Sequence, residues 1–209
     1  MNSYYDKIRS FLAPIIHFLF RSRAKGTENI PQNGAVIIAP NHFSFIDPFL
    51  VAAHMSRRLT FLAKAELFKT PFIGNIMKKI GAIPINRDGK DSAALRAAIK
   101  ALREENVIVI FPQGKRYRGK KPEKSQLKYG IGFLANITKA PVIPTGIYTR
   151  GFRSILFRKS FVSFGKPVFA EISEGIEGIK ETNEEVSERI LAQIMDEIES
   201  AQSSAVLSE

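Results

Sequence analysis

Across residues 4–20 apolar side chains recur every three or four positions. Tyr4, Ile8, Phe11, Leu12, Ile15, Ile16, Leu19 and Phe20 would share one broad face of a helix. Lys7 and Arg9 stand near its start, and Arg21, Arg23 and Lys25 follow its end. A short apolar helix with basic flanks suits two settings: the plane of a membrane interface, with its cations at lipid phosphates, or the surface of the protein's own core. The turn signals at 30–34 are followed by the first of six short apolar runs, at 35–39, 59–63, 82–85, 107–111, 142–147 and 161–164. Each has the length and composition of a buried strand. Between them, residues 48–55, 72–80, 92–102 and 130–138 carry helical spacing, and Asp91 or Ser92 is a natural N-cap for the third of these helices. From 182 to 200, Val186, Ile190, Leu191, Ile194, Met195 and Ile198 form an apolar stripe on an otherwise acidic helix; residues 201–209 are expected to fray.

Short apolar strands alternating with helices predict an α/β protein with a mixed, largely parallel central sheet flanked by helices. Two parts are expected: an N-terminal helical segment over 1–30, and an α/β domain over 31–209 that ends in the acidic amphipathic helix. With 209 residues and 44% hydrophobic content, the chain is long enough to bury a full core. No Cys is present, which excludes disulfides, Cys-based zinc sites and a thiol nucleophile. No apolar run reaches the roughly 18 residues of a spanning helix. Arg21, Ser22 and Arg23 directly follow the N-terminal apolar stretch, unlike a secretory cleavage site, so the chain reads as intracellular.

The net charge of +11 is unevenly placed. Residues 171–209 hold eleven acids against Lys180 and Arg189, so residues 1–170 carry a surplus of 20 positive charges. A folded, strongly basic surface calls for an anionic partner: nucleic acid, an acidic membrane, or a phosphorylated substrate.

Candidate chemistry gathers where the strands end. His42 and Asp47 lie in Asn41-His42-Phe43-Ser44-Phe45-Ile46-Asp47-Pro48, between the first apolar run and the next helix, at the kind of junction where open α/β sheets place their sites. An imidazole can take a proton from a hydroxyl near neutral pH, and a carboxylate on its other nitrogen fixes the tautomer and stabilises the imidazolium. Alone the pair is weak, being expected about 0.07 times by chance in a chain with three His and five Asp, and a capping Asp beside a satisfied His explains it equally well. Further charged residues then fall at later strand ends. Lys64 closes the second apolar run, Arg87 follows the third, and Arg116 follows Phe111-Pro112-Gln113-Gly114-Lys115 after the fourth. Cations converging on one rim would bind a phosphate, Arg by bidentate hydrogen bonds and Lys as a point charge.

Taken in order, Asn41-His42-x4-Asp47, residues 81–87, residues 111–116 and Val142-Ile143-Pro144 resemble the four motif blocks of the glycerolipid acyltransferases, in particular the bacterial 1-acyl-sn-glycerol-3-phosphate (lysophosphatidate) acyltransferases. The resemblance implies that His42 is the general base on the free hydroxyl of a lysophospholipid, which attacks the thioester of acyl-CoA or acyl-carrier protein, with Asp47 orienting the imidazole. Arg87 and Arg116 would hold the acceptor phosphate, joined by Lys64. Gln113, Gly114 and Pro144 would shape the substrate site. No cofactor or metal is implied, and a covalent acyl-enzyme is not needed. It further implies an N-terminal segment, 1–30, lying on an anionic membrane at its cytoplasmic face, and an apolar tunnel for the acyl chain. Nucleic acid is then not the expected partner, although the basic charge alone admits it. Another lysophospholipid acceptor, or a lipid-binding relative without activity, are the remaining alternatives.

In one place the chain departs from the pattern. The third block usually reads Phe-Pro-Glu-Gly-Thr-Arg, whereas Gln113 and Lys115 stand here, moving the local charge two units toward positive. If the usual Glu touches the acceptor or supports the phosphate-binding arginine, Gln113 would alter acceptor choice or slow turnover. Residues 115–128 add Lys115, Arg116, Arg118, Lys120, Lys121, Lys124 and Lys128 against Glu123 alone, either as a solvated loop or as a seat for headgroups, carrier protein or CoA phosphates. His17 and His54 have no neighbour in sequence that suggests metal binding or catalysis.

Overall fold

The computed structural model describes residues 4–86, 91–123, 126, 128–170 and 181–207. Its sheet is built around β2 (Val36–Pro40), all five residues of which are buried. Val36 and Ile38 face one core while Ile37 and Ala39 face the other, so the run is apolar throughout rather than alternating, as a strand covered on both faces must be. The other strands are β1 (Arg23–Lys25), β3 (Leu59–Lys64), β4 (Ile83–Ile85), β5 (Val107–Val109), β6 (Val142–Thr149) and β7 (Ser160–Phe164), in the order β1-β7-β6-β2-β5-β3-β4. Every neighbouring pair is parallel except β6 with β7. The C-terminal ends of β2, β3, β5 and β6 therefore share one rim.

The helices are α1 (Tyr4–Phe20), α2 (Asp47–Ala53), α3 (Pro71–Lys79), α4 (Ser92–Arg103), α5 (Gly130–Thr138) and α6 (Asn183–Val206). The core of Val36 and Ile38 takes in Tyr5, Ile16 and Phe20 of α1 and Leu50 and Val51 of α2; that of Ile37 and Ala39 takes in Ala98 of α4, Ile131 of α5 and Ile190, Ile194 and Ile198 of α6. α6 lies directly on β6: a Cβ on Gly146 would come within 2.2 Å of the Glu197 backbone, so only glycine permits this approach.

The predicted α/β layout holds, and the outlines of α1 and α5 match the periodicity to the residue. Three differences have physical causes. The edge strand β1 carries no apolar run, since only Ala24 of its three residues is even half-buried; it is held by parallel pairing with β7, which draws residues 23–25 out of the N-terminal segment and into the sheet. α6 does not fray at 201 but runs to Val206, because Ala201 is buried and gives the helix a further turn of packing. At its other end a capping box between Thr182 and Glu185 satisfies the first N–H groups. And α1 is neither free nor wholly absorbed: Tyr5, Ile16 and Phe20 are buried, whereas Phe11 and Phe18 are about seventy per cent exposed.

His17 and His54 prove to be each other's companions. Their rings meet edge-on at 4.7 Å, and the Ser22 hydroxyl lies 2.8 Å from His54 Nε2, tying α1 to the end of α2. Burial, aided by the His17 charge, lowers the His54 pKa from 6.5 to about 4. The native state thus holds His54 neutral where the unfolded chain would protonate it, so this residue's contribution to stability is complete above about pH 6.5 and is lost as the pH falls toward 4. Between pH 7 and pH 5 the loss should be roughly 1–2 kcal/mol. His54→Gln should shrink that difference, as read from urea midpoints at the two pH values; an undiminished difference in the variant would contradict the assignment.

Candidate active site

At the end of β2 the main chain leaves the sheet, and Asn41 takes over its pairing with a side chain. Its Nδ2 donates to the Ile147 carbonyl at 3.0 Å and its Oδ1 accepts from the Ile147 N–H at 2.6 Å. The following turn is organised by one carboxylate oxygen. Asp47 Oδ2 lies 2.8 Å from His42 Nδ1 and accepts the N–H groups of Phe43 and Ser44 at 2.7 Å each. Asp47 is wholly buried and His42 is 7% exposed. Burial is the largest influence on the Asp47 carboxyl and pushes its pKa above the ordinary value, opposed by the His42 contact and by the N–H groups of Ser44 and Phe43. The capping reading and the catalytic one therefore describe the same atom: Oδ2 closes the turn and also receives the Nδ1 proton, which leaves Nε2 as the basic nitrogen.

His42 is held from every other side. The Phe111 ring stacks on the imidazole at 4.0 Å, its N–H donates to Gln113 Oε1 at 2.7 Å, and its carbonyl accepts from the Tyr117 N–H at 2.9 Å. Gln113 Nε2 in turn donates to Gln126 Oε1 at 3.1 Å. Gln113 is buried and does not line the cavity, so its expected contact with substrate is replaced by a role in holding the His42 backbone. An amide suits that role, because one end accepts while the other donates, whereas a carboxylate offers only acceptors. Gly114 makes the turn behind it at φ +67°, in the left-handed region that favours glycine.

His42 lines a cavity of about 250 Å³ between α1, α2, α3 and β3. Lys64 and Arg116 line it as well, and the rest of the lining is mostly apolar, with Leu12, Ile16, Phe49, Phe61, Met77 and Ile80 among it. Among the described residues, no acidic side chain lines it. Arg116 lies over the Phe45 ring, 5.9 Å from its centroid, and Lys64 is paired with Glu66 at 2.9 Å, both of that pair being about half exposed. At the opposite end, by the start of β3, stand Tyr5 and Arg9; Arg9 Nη1 donates to the Met55 carbonyl at 2.6 Å, while its buried Nε has no hydrogen-bond partner among the described residues.

The structure thus brings together His42, Asp47, Lys64 and Arg116. Arg87 lies outside the described residues; its neighbour Asn86, at the end of β4, donates its N–H to Asp91. Pro144 is buried within β6 opposite Ala39, not on the cavity, and is part of the sheet. In the basic loop, Lys115 stacks on Tyr117 at 5.1 Å and Lys121 reaches Glu199 of α6 at 2.9 Å, so the acidic helix neutralises part of that charge. Among the described residues no group of three or more His, Asp or Glu could hold a metal ion. Periodicity does not single out Arg9, which in sequence is one of several cations flanking α1, nor Phe111, whose stacking depends on a partner far away in the chain.

Comparison with known proteins agrees with this geometry. Residues 21–148 match the model of the family described as Acyltransferase. The 1-acyl-sn-glycerol-3-phosphate acyltransferase of Borreliella burgdorferi is 32% identical over 178 residues, covering 83% of this chain and 68% of that protein. The enzyme of the same name from Bacillus subtilis is 31% identical over 133 residues, 63% of this chain and 65% of that protein. The chain therefore spans about two thirds of the length of these relatives. The crystal structure of the 1-acyl-sn-glycerophosphate (LPA) acyltransferase PlsC from Thermotoga maritima superposes with a TM-score of 0.70 at 23% identity, over 95% of this chain and 83% of that one, which shows the shared fold. With the family model covering both His42 and Asp47 and a relative this similar over most of the sequence, the chain belongs to the acyltransferase family.

Proposed function

We propose that this protein moves a fatty acyl group from a thioester, acyl-CoA or acyl-carrier protein, to the sn-2 hydroxyl of 1-acyl-sn-glycerol 3-phosphate, forming phosphatidic acid in phospholipid synthesis. The observation that carries the reading is a buried His–Asp pair at 2.8 Å whose imidazole lines an apolar cavity together with Lys64 and Arg116, with no acid in the lining among the described residues. The names of the relatives support the same acceptor.

In this mechanism His42 Nε2 takes the proton of the acceptor hydroxyl as its oxygen attacks the thioester carbonyl, and Asp47 stabilises the imidazolium that forms. Collapse of the tetrahedral intermediate forms the ester, breaks the C–S bond and sends the thiolate out, which recovers the proton from His42. The protein carries no acyl group at any step, in keeping with a chain that has no Cys. Arg116 and Lys64 hold the acceptor phosphate, Arg87 is proposed to join them, and the acyl chain lies along the cavity toward Arg9. Among the described residues no helix is long and apolar enough to cross a membrane, and we place the exposed side of α1, with Phe11 and Phe18, on the cytoplasmic face of an anionic membrane.

Three outcomes are expected from acyl-transfer assays with labelled donor and a panel of lysophospholipids. His42→Ala should lower kcat by about 10²–10⁴-fold; product formation near the wild-type rate would contradict the mechanism. Arg116→Ala should raise KM for lysophosphatidate about tenfold or more, with a smaller effect on an acceptor lacking the phosphate monoester; equal effects on both would remove Arg116 from the phosphate site. Because Gln113 lies behind His42 and off the cavity, Gln113→Glu should change kcat and leave the ranking of acceptors as it was; a reordered ranking would show that this position touches the acceptor after all.

A further inference from the structure

Residues 150–159 join β6 to β7 at the rim where His42 stands. The base of this connection is fixed against the site: the Phe152 carbonyl accepts from the Gly119 N–H at 3.0 Å, and the Phe152 ring meets Phe43 edge-on at 5.6 Å. The tip is different. Ile155, Leu156 and Phe157 are 43%, 55% and 58% exposed, three consecutive large apolar residues turned outward. Phe157 sits at φ +63°, a left-handed conformation that a bulky side chain adopts only at a cost. Its N–H is bonded to the Leu19 carbonyl, and its ring meets Phe18 edge-on at 6.0 Å, so the tip and the end of α1 form one exposed apolar ridge.

The charged residues of this connection and of the end of α1 are all basic. Arg150 and Arg153 are exposed beside the tip, Arg158 follows it with its guanidinium on the Arg150 carbonyl, and Arg21 projects from the end of α1. No Asp or Glu occurs anywhere between residues 124 and 170. Apolar side chains at a tip with arginines around its base match the layering of an anionic bilayer surface, acyl chains below and phosphates above. We infer that the Ile155-Leu156-Phe157 tip is a second membrane-inserting element, acting with α1 to hold the catalytic rim against an anionic lipid surface. This goes beyond the acyl-transfer reading, because insertion requires no substrate and would hold for any chemistry at His42.

The chain contains no Trp, so a single introduced indole reports on its own site. Leu156→Trp would be mixed with vesicles of phosphatidylglycerol and phosphatidylcholine, with and without brominated acyl chains. Ile137→Trp, an exposed position on α5 across the sheet, serves as the control. The expected result is a blue-shifted emission that brominated lipid quenches for Leu156→Trp and an unchanged spectrum for Ile137→Trp. In parallel, Leu156→Ser with Phe157→Ser should weaken vesicle binding about tenfold or more, from the apolar area lost, while acyl transfer to detergent-dispersed substrate stays as in the wild type. Vesicles that capture the protein while the indole at 156 remains solvent-like would overturn the proposal and leave α1 as the contact. Failure to bind vesicles at all would overturn it too, with acyl transfer in detergent still able to stand.

Discussion

A single oxygen, Oδ2 of Asp47, carries the local architecture on which everything else depends. Three donors converge on it within six residues, two from the backbone and one from the imidazole, and it is completely removed from water. A carboxylate buried this deeply is tolerated only when donors compensate for its lost hydration. Those donors are the turn itself, so the residue that makes the turn foldable also sets the tautomer and direction of His42. Around this centre, Phe111, Gln113 and Tyr117 hold the ring, the N–H and the carbonyl of His42. In the proposed mechanism, a base held this firmly needs little rearrangement when its proton partner arrives.

The sheet then decides what the base can meet. Because β2, β3, β5 and β6 run parallel, Lys64 at the end of β3 and the loops bearing His42 and Arg116 meet on one rim. Because α1, α2 and α3 cover the same side, the apolar surface under that rim is not filled by side chains alone but encloses a cavity ending at Arg9. The proposed transfer from a thioester to a lysophospholipid needs these neighbours: cations for a phosphate, a dry channel for a chain, and a nitrogen base between them. The large negative charge on α6 lies on the other side of the sheet from the cavity, where it pairs with Lys121.

Much of this is legible in the sequence because the interactions are local or periodic. Five residues separate His42 from Asp47, and each central strand is a solid apolar run since both its faces are covered. What escapes is decided by distant partners. β1 exists through pairing with a strand nearly 140 residues away, and its three residues carry no apolar pattern. The place of Gln113 depends on a backbone N–H 71 residues earlier, so the substitution of Glu by Gln looks in sequence like a change at the substrate and in the structure is a change behind the base. Arg9 reads as one more flanking cation until α2 and α3 close over it. His17 and His54 look isolated only because the helices that bring them together are separated by the first two strands of the sheet.

The central claim, that Asp47 acts through His42, is tested most directly by steady-state kinetics of Asp47→Asn with lysophosphatidate and acyl-CoA, beside a thermal melt. Asn preserves size and one acceptor but cannot stabilise the imidazolium. The account predicts a folded variant with kcat lower by about 10²-fold or more and KM little changed. A folded variant that keeps kcat within about threefold of the wild type would contradict it.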